Sequence, residues 1–325
     1  MKVRDIGEQG LLKKLQRFCP DDIIGDDGAV LSLHNLQQLV VTTDVLVDGV
    51  HFSDTTTPPH SVGWRAIAAN LSDLAAMGAS PIGVTVGLAL TGDTSVEWVE
   101  LMYQGMSDLL KRYDTPIIGG DICRSKVTTI SITALGQTYP NRVIKRSTAQ
   151  PGQVIVTTGY HGMSRSGLEL LLNPNAANIG SEERSKLIYA HQYPQPRLDI
   201  LPHLWEIMET DTITGMDSSD GLGDAVLQMC KLSGLGARID MATLPSVSKI
   251  SQCFHGDQAL NWVLYGGEDF ELVLCLAEEK GKTLVQTIGK EARIIGKIVE
   301  EQSVILVDGD QQYPLTLKQG FQHFS

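Results

Sequence analysis

The chain switches between two periods of apolar residues. In SVGWRAIAANLSDLAAMG, Trp64, Ile67, Ala68, Leu71 and Leu74 recur at helical spacing, with Ser61 placed to cap the start and Gly78 to stop the end. Directly after it, IGVTVGLAL sets Ile82, Val84, Val86, Leu88 and Leu90 at period two, while its other face holds only Gly, Thr and Ala. That spacing predicts a strand packed closely against a neighbour. A second helix is expected near residues 95 to 112, then a strand over VTTISITALG. Turn formers gather in KRSTAQPGQ, residues 145 to 153, ahead of a fresh strand VIVTTG, and a domain boundary is expected there, dividing residues 1–148 from 149–325. The second part predicts a helix from about Gly221 to Ser233, strands FELVLCL and RIIGKIV, and a helix near residues 278 to 289. The whole reads as α+β with a substantial sheet. No short-period repeat or low-complexity tract interrupts it.

One stretch breaks the pattern. TTDVLVDGVHF, residues 42 to 52, places the carboxylates of Asp44 and Asp48 on a β-type run that stops at Gly49, with His51 close behind. Similar small-residue settings hold Asp26 and Asp27 (GDDGAV), Asp73 (NLSDLAAMG), Asp121 (GGDIC), Asp217, Asp220 and Asp224 (MDSSDGLGD), and Glu268 and Asp269 (GGEDFEL). Each alone is an ordinary turn or N-cap residue. Together they flank apolar runs, and Asp73 lies off the apolar stripe of its helix among small or apolar neighbours where a solvated face would carry Lys and Glu. Buried carboxylates cost several kcal/mol each unless cations compensate them.

Charge decides what the cations are. The sequence has 26 Lys and Arg against 38 Asp and Glu, a formal net charge of −12. Bound metal is the natural counter-charge, and hard Mg²⁺ takes carboxylate oxygens while keeping positions for water and phosphate, which points to a polyphosphate site. The absence of a basic block argues against nucleic acid. The five cysteines show no CxxC or metal-ligand spacing, and the start, MKVRDIGEQG, lacks an apolar signal core, so a reduced cytoplasmic setting without a membrane span is expected.

Familiar nucleotide and nucleophile signatures are missing. KGKTL places Gly281, Lys282 and Thr283 without the preceding P-loop glycine, and reads as a charged helix. No GxGxxG opens a βαβ unit and no GxSxG elbow is present; Ser218 and Ser219 are expected to cap the helix that follows them.

GDD, TTDVLVDGVHF, NLSDLAAMGA, IIGGD, MDSSDGL and GGEDFEL, in this order and at these separations, resemble the thiamine-monophosphate kinases, within the aminoimidazole ribonucleotide synthetase superfamily. The resemblance runs from about Gly7 to the closing GFQHF. It implies a two-domain PurM-like fold, an N-terminal sheet-and-helix domain that pairs in a homodimer and a C-terminal α/β sandwich domain. It also implies ATP-dependent, Mg²⁺-dependent phosphorylation of thiamine monophosphate, the last step in making thiamine diphosphate. Matched motif by motif, Asp27, Thr42, Thr43, Asp44, Asp73, Asp121, Asp217 and Asp220 would hold several Mg²⁺ ions, with Asp44, Asp121, Asp217 and Asp220 at the reacting phosphates. Tyr103, Gly120, Asp121, Arg146 and Ser219 would meet ATP, and His51, Glu268 and Phe321 the thiamine monophosphate. Position alone gives His51 an equally good reading as a surface histidine, Tyr103 and Phe321 as packing residues, and Arg146 as half of a solvated pair with Lys145.

The chain departs from the family pattern in places. Ile122 and Cys123 stand where Thr-Thr is common, Ser218 where an aliphatic residue is common, and residues 159–167 differ from the usual Gly-Asp turn. Two rival readings remain: another synthetase of the superfamily, such as the selenophosphate or aminoimidazole ribonucleotide enzyme, or a non-catalytic nucleotide or thiamine-phosphate binder. The selenophosphate and hydrogenase-maturation members carry a working cysteine near one end; here Cys19 lacks a glycine-rich setting and the closing GFQHFS holds no cysteine, which speaks against both.

Overall fold

The computed structural model describes residues 29–32, 37–208, 212–254, 256–289 and 291–317. Asp27 and Phe321 lie outside them. The first half builds a five-stranded sheet in the order β1 (Ala29–Ser32), β2 (Gln38–Val47), β5 (Thr129–Thr138), β3 (Ser80–Leu90), β4 (Ile117–Arg124). Only β3 and β4 run parallel. Alternation sorts its faces: Val40, Thr42 and Leu46 of β2, Val84, Val86 and Leu88 of β3, and Ile130, Ile132 and Ala134 of β5 are buried. Helices α1 (Pro59–Ala76) and α2 (Val96–Leu110) supply Leu71, Leu74, Met102 and Met106 to the same core.

Helix α1 begins earlier than its sequence suggests. Pro59 takes the first turn, where a missing N–H costs nothing, and Ser61 is buried inside the helix instead of capping it. Gly78, at φ +70°, stands just past the C-cap Met77 as expected. The helix is buried nearly all round because the first sheet, α2 and a strand of the second half all press on it. A Cβ on Gly63 would fall 1.8 Å from the Met102 carbonyl oxygen, and one on Gly105 1.8 Å from that of His60, so two glycines let α1 and α2 approach backbone to backbone.

The second half forms an eight-stranded sheet, with β6 (Ile144–Lys145), β7 (Val154–Thr157), β8 (Ile213–Asp217), β9 (Gly236–Asp240), β10 (Leu272–Leu276), β11 (Arg293–Val299), β12 (Val304–Asp308) and β13 (Gln311–Pro314). Their order is β13-β12-β9-β11-β7-β10-β8-β6, so the chain has entered this sheet by Ile144. Helices α3 (Met163–Leu172), α4 (Ser181–Gln192), α5 (Ile200–Ile207), α6 (Leu222–Ser233), α7 (Pro245–Ser251), α8 (Gly256–Tyr265) and α9 (Glu278–Ile288) cover it. Its central strands are continuous apolar runs because both faces are buried. Val154, Val156, Leu272 and Leu274 join the core of the first half, and Ile155, Val273 and Cys275 join a second core with α6 and α8. The GKT triplet lies in α9, where Lys282 pairs with Glu278 and Glu279, an ordinary charged helix face. Among the described residues no helix is long and apolar enough to cross a membrane.

Candidate active site

Three carboxylates from three elements meet where the halves join. Asp44 stands on β2, on the face that carries Thr42 and Leu46 toward α1. Asp73 comes from α1 and accepts a short hydrogen bond from Thr42 Oγ1. Asp217, at the end of β8, is fully buried and accepts from Ser72 Oγ at 2.7 Å and Ser219 Oγ at 3.1 Å. Burial, then the charge of Asp217, pushes the Asp44 carboxyl up to about 6. Burial and the charges of Asp44 and Asp217 raise Asp73 well above the aspartate range, against the opposing Thr42 bond. Asp217 is raised by burial, opposed first by the Ser72 bond and then by the charge of Arg146. Among the described residues no three His, Cys, Asp or Glu side chains already surround one point as metal ligands. The donor chemistry fits Mg²⁺ nonetheless: hard oxygens, mutual repulsion and little cationic compensation.

In front of the cluster lies a cleft of about 950 Å³. Thr43, Asp44, His51, Ser219, Asp220 and Glu268 line it. Val47 N–H donates to His51 Nδ1 at 3.0 Å, so the neutral imidazole carries its proton on Nε2. The Glu268 N–H donates to the Ser219 carbonyl at 2.7 Å, in a left-handed backbone at φ +58°. Leu168 and Leu172 of α3 and Trp262 and Tyr265 of α8 make a largely apolar wall. The cleft therefore joins an acidic, oxygen-rich end to a wall suited to an organic ring.

The remaining candidates are placed differently. Arg146 donates to Gln228 Oε1 at 3.0 Å and its charge acts on Asp217. Tyr103 packs against the first core and does not line the cleft. Gly120 and Asp121 stand on the exposed edge strand β4. Register runs Asp44–Ile132–Val86–Gly120 across the sheet, and Asp121 is aligned with Gly87, Ser131 and Val45 on the opposite face. Within one chain, Asp121 is thus three strands from Asp44. Asp48 is exposed and outside the cleft lining.

Two readings change. Ser218 and Ser219 do not cap α6: Gly221, at φ +106°, holds the N-cap position with no side-chain bond, and the Ser219 hydroxyl serves Asp217. Sequence reasoning also passed over Arg65, Arg165, His191 and Trp262, all of which line the cleft. Arg65 had a signal, a lone guanidinium in an apolar helix; His191 and Trp262 sit in segments with no special pattern.

The family described as AIR synthase related protein matches the chain with its N-terminal domain over residues 25–138 and its C-terminal domain over residues 150–309. A thiamine-monophosphate kinase of Synechococcus elongatus is 50% identical over 324 residues, covering 99% of this chain and 97% of its own. The solved structure of AaThiL complexed with AMPPCP and TMP is similar with a TM-score of 0.83 at 29% identity, covering 97% of this chain and 98% of that one. That of thiamine monophosphate kinase from Aquifex aeolicus gives 0.81 at 30%, covering 96% and 99%.

Proposed function

The chain belongs to the thiamine-monophosphate kinases of the AIR synthase related family, and we propose that it transfers the γ-phosphoryl group of ATP to thiamine monophosphate, yielding ADP and thiamine diphosphate. The observation that carries this reading is the meeting of Asp44, Asp73 and Asp217 at the head of a cleft with an apolar wall. The curated relatives matched at 50% and 35% identity along 99% of the chain are thiamine-monophosphate kinases, which favours the kinase over the synthetase and non-catalytic readings.

The transfer forms one bond from an acceptor phosphate oxygen to the γ phosphorus and breaks the bond from that phosphorus to the β–γ bridging oxygen, which departs with ADP. The acceptor oxygen is already ionised, so no general base is required. What the protein must do is hold two anions in line. Asp44, Asp73 and Asp217, with Asp220 and Thr42 beside them, would hold Mg²⁺, which when bound neutralises phosphate charge and polarises the leaving oxygen, whereas the Thr43 hydroxyl points to the other face of the sheet and bonds the Ile132 carbonyl and Thr133. His51, with its Nε2 proton, is suited to donate to the acceptor phosphate. Glu268 faces the cationic thiamine portion, and Trp262 with the α3 leucines shields it from water.

The reading includes a homodimer. On the face of the first sheet away from the helices, Val45 is 48% exposed, Ile118 is 55% exposed, and Thr43, Thr85, Gly87, Ser131, Thr133 and Leu135 leave a mostly small, weakly polar surface. Two such sheets closing face to face would bring the β4 edge of one copy beside the β1–β2 edge of the other. Gly120 and Asp121 of a second copy would then complete the site that a single chain leaves short of them.

The test is incubation of the purified protein with ATP, Mg²⁺ and thiamine monophosphate, followed by chromatography. Equal amounts of ADP and thiamine diphosphate are expected. Release of ADP with inorganic phosphate and no thiamine diphosphate would refute the assignment.

A further inference from the structure

Arg65 occupies an unusual place for a guanidinium. It is on α1 with 3% of its side chain exposed, yet it borders the cleft. Nη1 donates to the carbonyl oxygen of His191 at 2.6 Å, Nη2 makes a short ion pair with Glu268 Oε1, and Nε is buried with no hydrogen-bond partner. Both partners come from the second half of the chain, so this one side chain binds across the junction. His191 adds no competing charge, because burial and the nearby Arg65 push its imidazole down to about 2.

Glu268 is constrained from several sides. Its N–H is held by the Ser219 carbonyl, and the next residue, Asp269, accepts from the N–H groups of Gly162 and Ser164 at 2.6 and 2.8 Å. Both Glu268 and Phe270 have left-handed backbones, at φ +58° and +52°. Such conformations at residues other than glycine persist where the surroundings over-determine them, and they concentrate at ligand sites. Arg65 fixes the remaining freedom, that of the carboxylate, which stays 36% exposed toward the cleft. The contrast with Asp44, Asp73 and Asp217 is informative. Among the described residues those carboxylates show no close ion pair like that of Glu268, only the charge of Arg146 acting on Asp217, and they fit metal; the one compensated by a built-in guanidinium does not need it.

We propose that Arg65 is a positioning residue for the acceptor substrate: it aims the Glu268 carboxylate at the cationic organic portion, away from the metal–phosphate end. The inference rests on the function proposed above. It predicts that Arg65 acts on affinity for thiamine monophosphate and not on ATP.

The test is a double-mutant cycle of Arg65→Met and Glu268→Gln, with Arg65→Lys as the milder variant, read as separate KM values for the two substrates. Arg65→Met should raise KM for thiamine monophosphate about tenfold or more while KM for ATP stays within about threefold. In the Glu268→Gln background the same change should add less than about threefold. Arg65→Lys keeps the charge but loses the fork, and should stay folded with a modestly lower melting temperature and give an intermediate rise. That variant decides the matter if Arg65→Met fails to fold. Equal rises in both KM values, or a full effect of Arg65→Met on top of Glu268→Gln, would overturn the positioning role. A wild-type protein that makes no thiamine diphosphate would instead overturn the function on which it rests.

Discussion

Ser72 Oγ donates a 2.7 Å hydrogen bond to Asp217 Oδ2, joining the C-terminal part of α1 to the end of β8 across 145 residues of sequence. The next residue, Asp73, is bonded instead to Thr42 of β2. Of two consecutive helix residues, Ser72 thus ties the two halves together and Asp73 ties the helix to the first sheet, at the point where the carboxylates crowd. Removing the Ser72 hydroxyl strips a bond from a buried carboxylate, a contact that contributes about 2 kcal/mol. Ser72→Ala should lose about that much stability by urea unfolding at neutral pH with magnesium, and its turnover should fall.

The carboxylate cluster makes metal-free stability depend on pH. Raised folded values mean that the folded chain binds more protons than the unfolded chain. For Asp44 the window runs from the ordinary 3.8 to about 6. Stability from this group is present below that window and lost as pH rises through it. In chelator, Asp44→Asn should therefore melt higher than wild type at pH 7, and the difference should vanish by about pH 2.5, where Asp44 is protonated in both states. Added Mg²⁺ should raise the wild-type melting temperature at pH 7 and do little for the variant. Calorimetric melts in chelator and in Mg²⁺ check all three.

The close approach of α1 and α2 leaves no room at Gly63. A methyl there would overlap the Met102 carbonyl at 1.8 Å, and backbone cannot swing aside as a side chain can. Gly63→Ala should cost about 3 kcal/mol by denaturant unfolding. Gly92→Ala, where nothing lies within 4 Å of the added carbon, is the control and should be near neutral.

A charge in the open face of the first sheet should block pairing. Leu135 stands on β5 between Val41 and Gly83, on the face away from α1. Leu135→Glu should sediment as a monomer at micromolar concentration where wild type sediments as a dimer, and should lose turnover because Asp121 no longer reaches a site. A monomeric wild type would dispose of the interface.

Much of this was legible in sequence, for identifiable reasons. The stripe from Trp64 to Leu74 predicted α1 because its apolar spacing is helical, although the helix is buried nearly all round, and β3 and β5 showed because their inner positions alternate. The cap at Ser61 failed because Pro58 and Pro59 start the helix earlier. Ser218 and Ser219 suggested a cap, but Gly221 takes that position, and the Ser219 hydroxyl was needed by Asp217. The acidic motifs marked Asp44, Asp73 and Asp217, since charge among apolar residues is visible locally. Arg65 was equally visible, yet its partner lies 203 residues away and no local pattern connects them. Asp121 is the opposite case: its motif is plain, but its distance from Asp44 follows from the strand order β2-β5-β3-β4, which no short window contains.

The most direct test of the account compares two aspartates four positions apart. Asp44 belongs to the buried cluster, and Asp48 is exposed at the end of the same strand. With γ-labelled ATP, Mg²⁺ and thiamine monophosphate, Asp44→Asn should transfer label to thiamine diphosphate at least about a hundredfold more slowly than wild type, the loss of a strong electrostatic contact at the reacting phosphates. Asp48→Asn should keep most of the activity. Equal losses in two folded variants, or full activity in Asp44→Asn, would contradict the claim that this cluster does the phosphoryl-transfer chemistry.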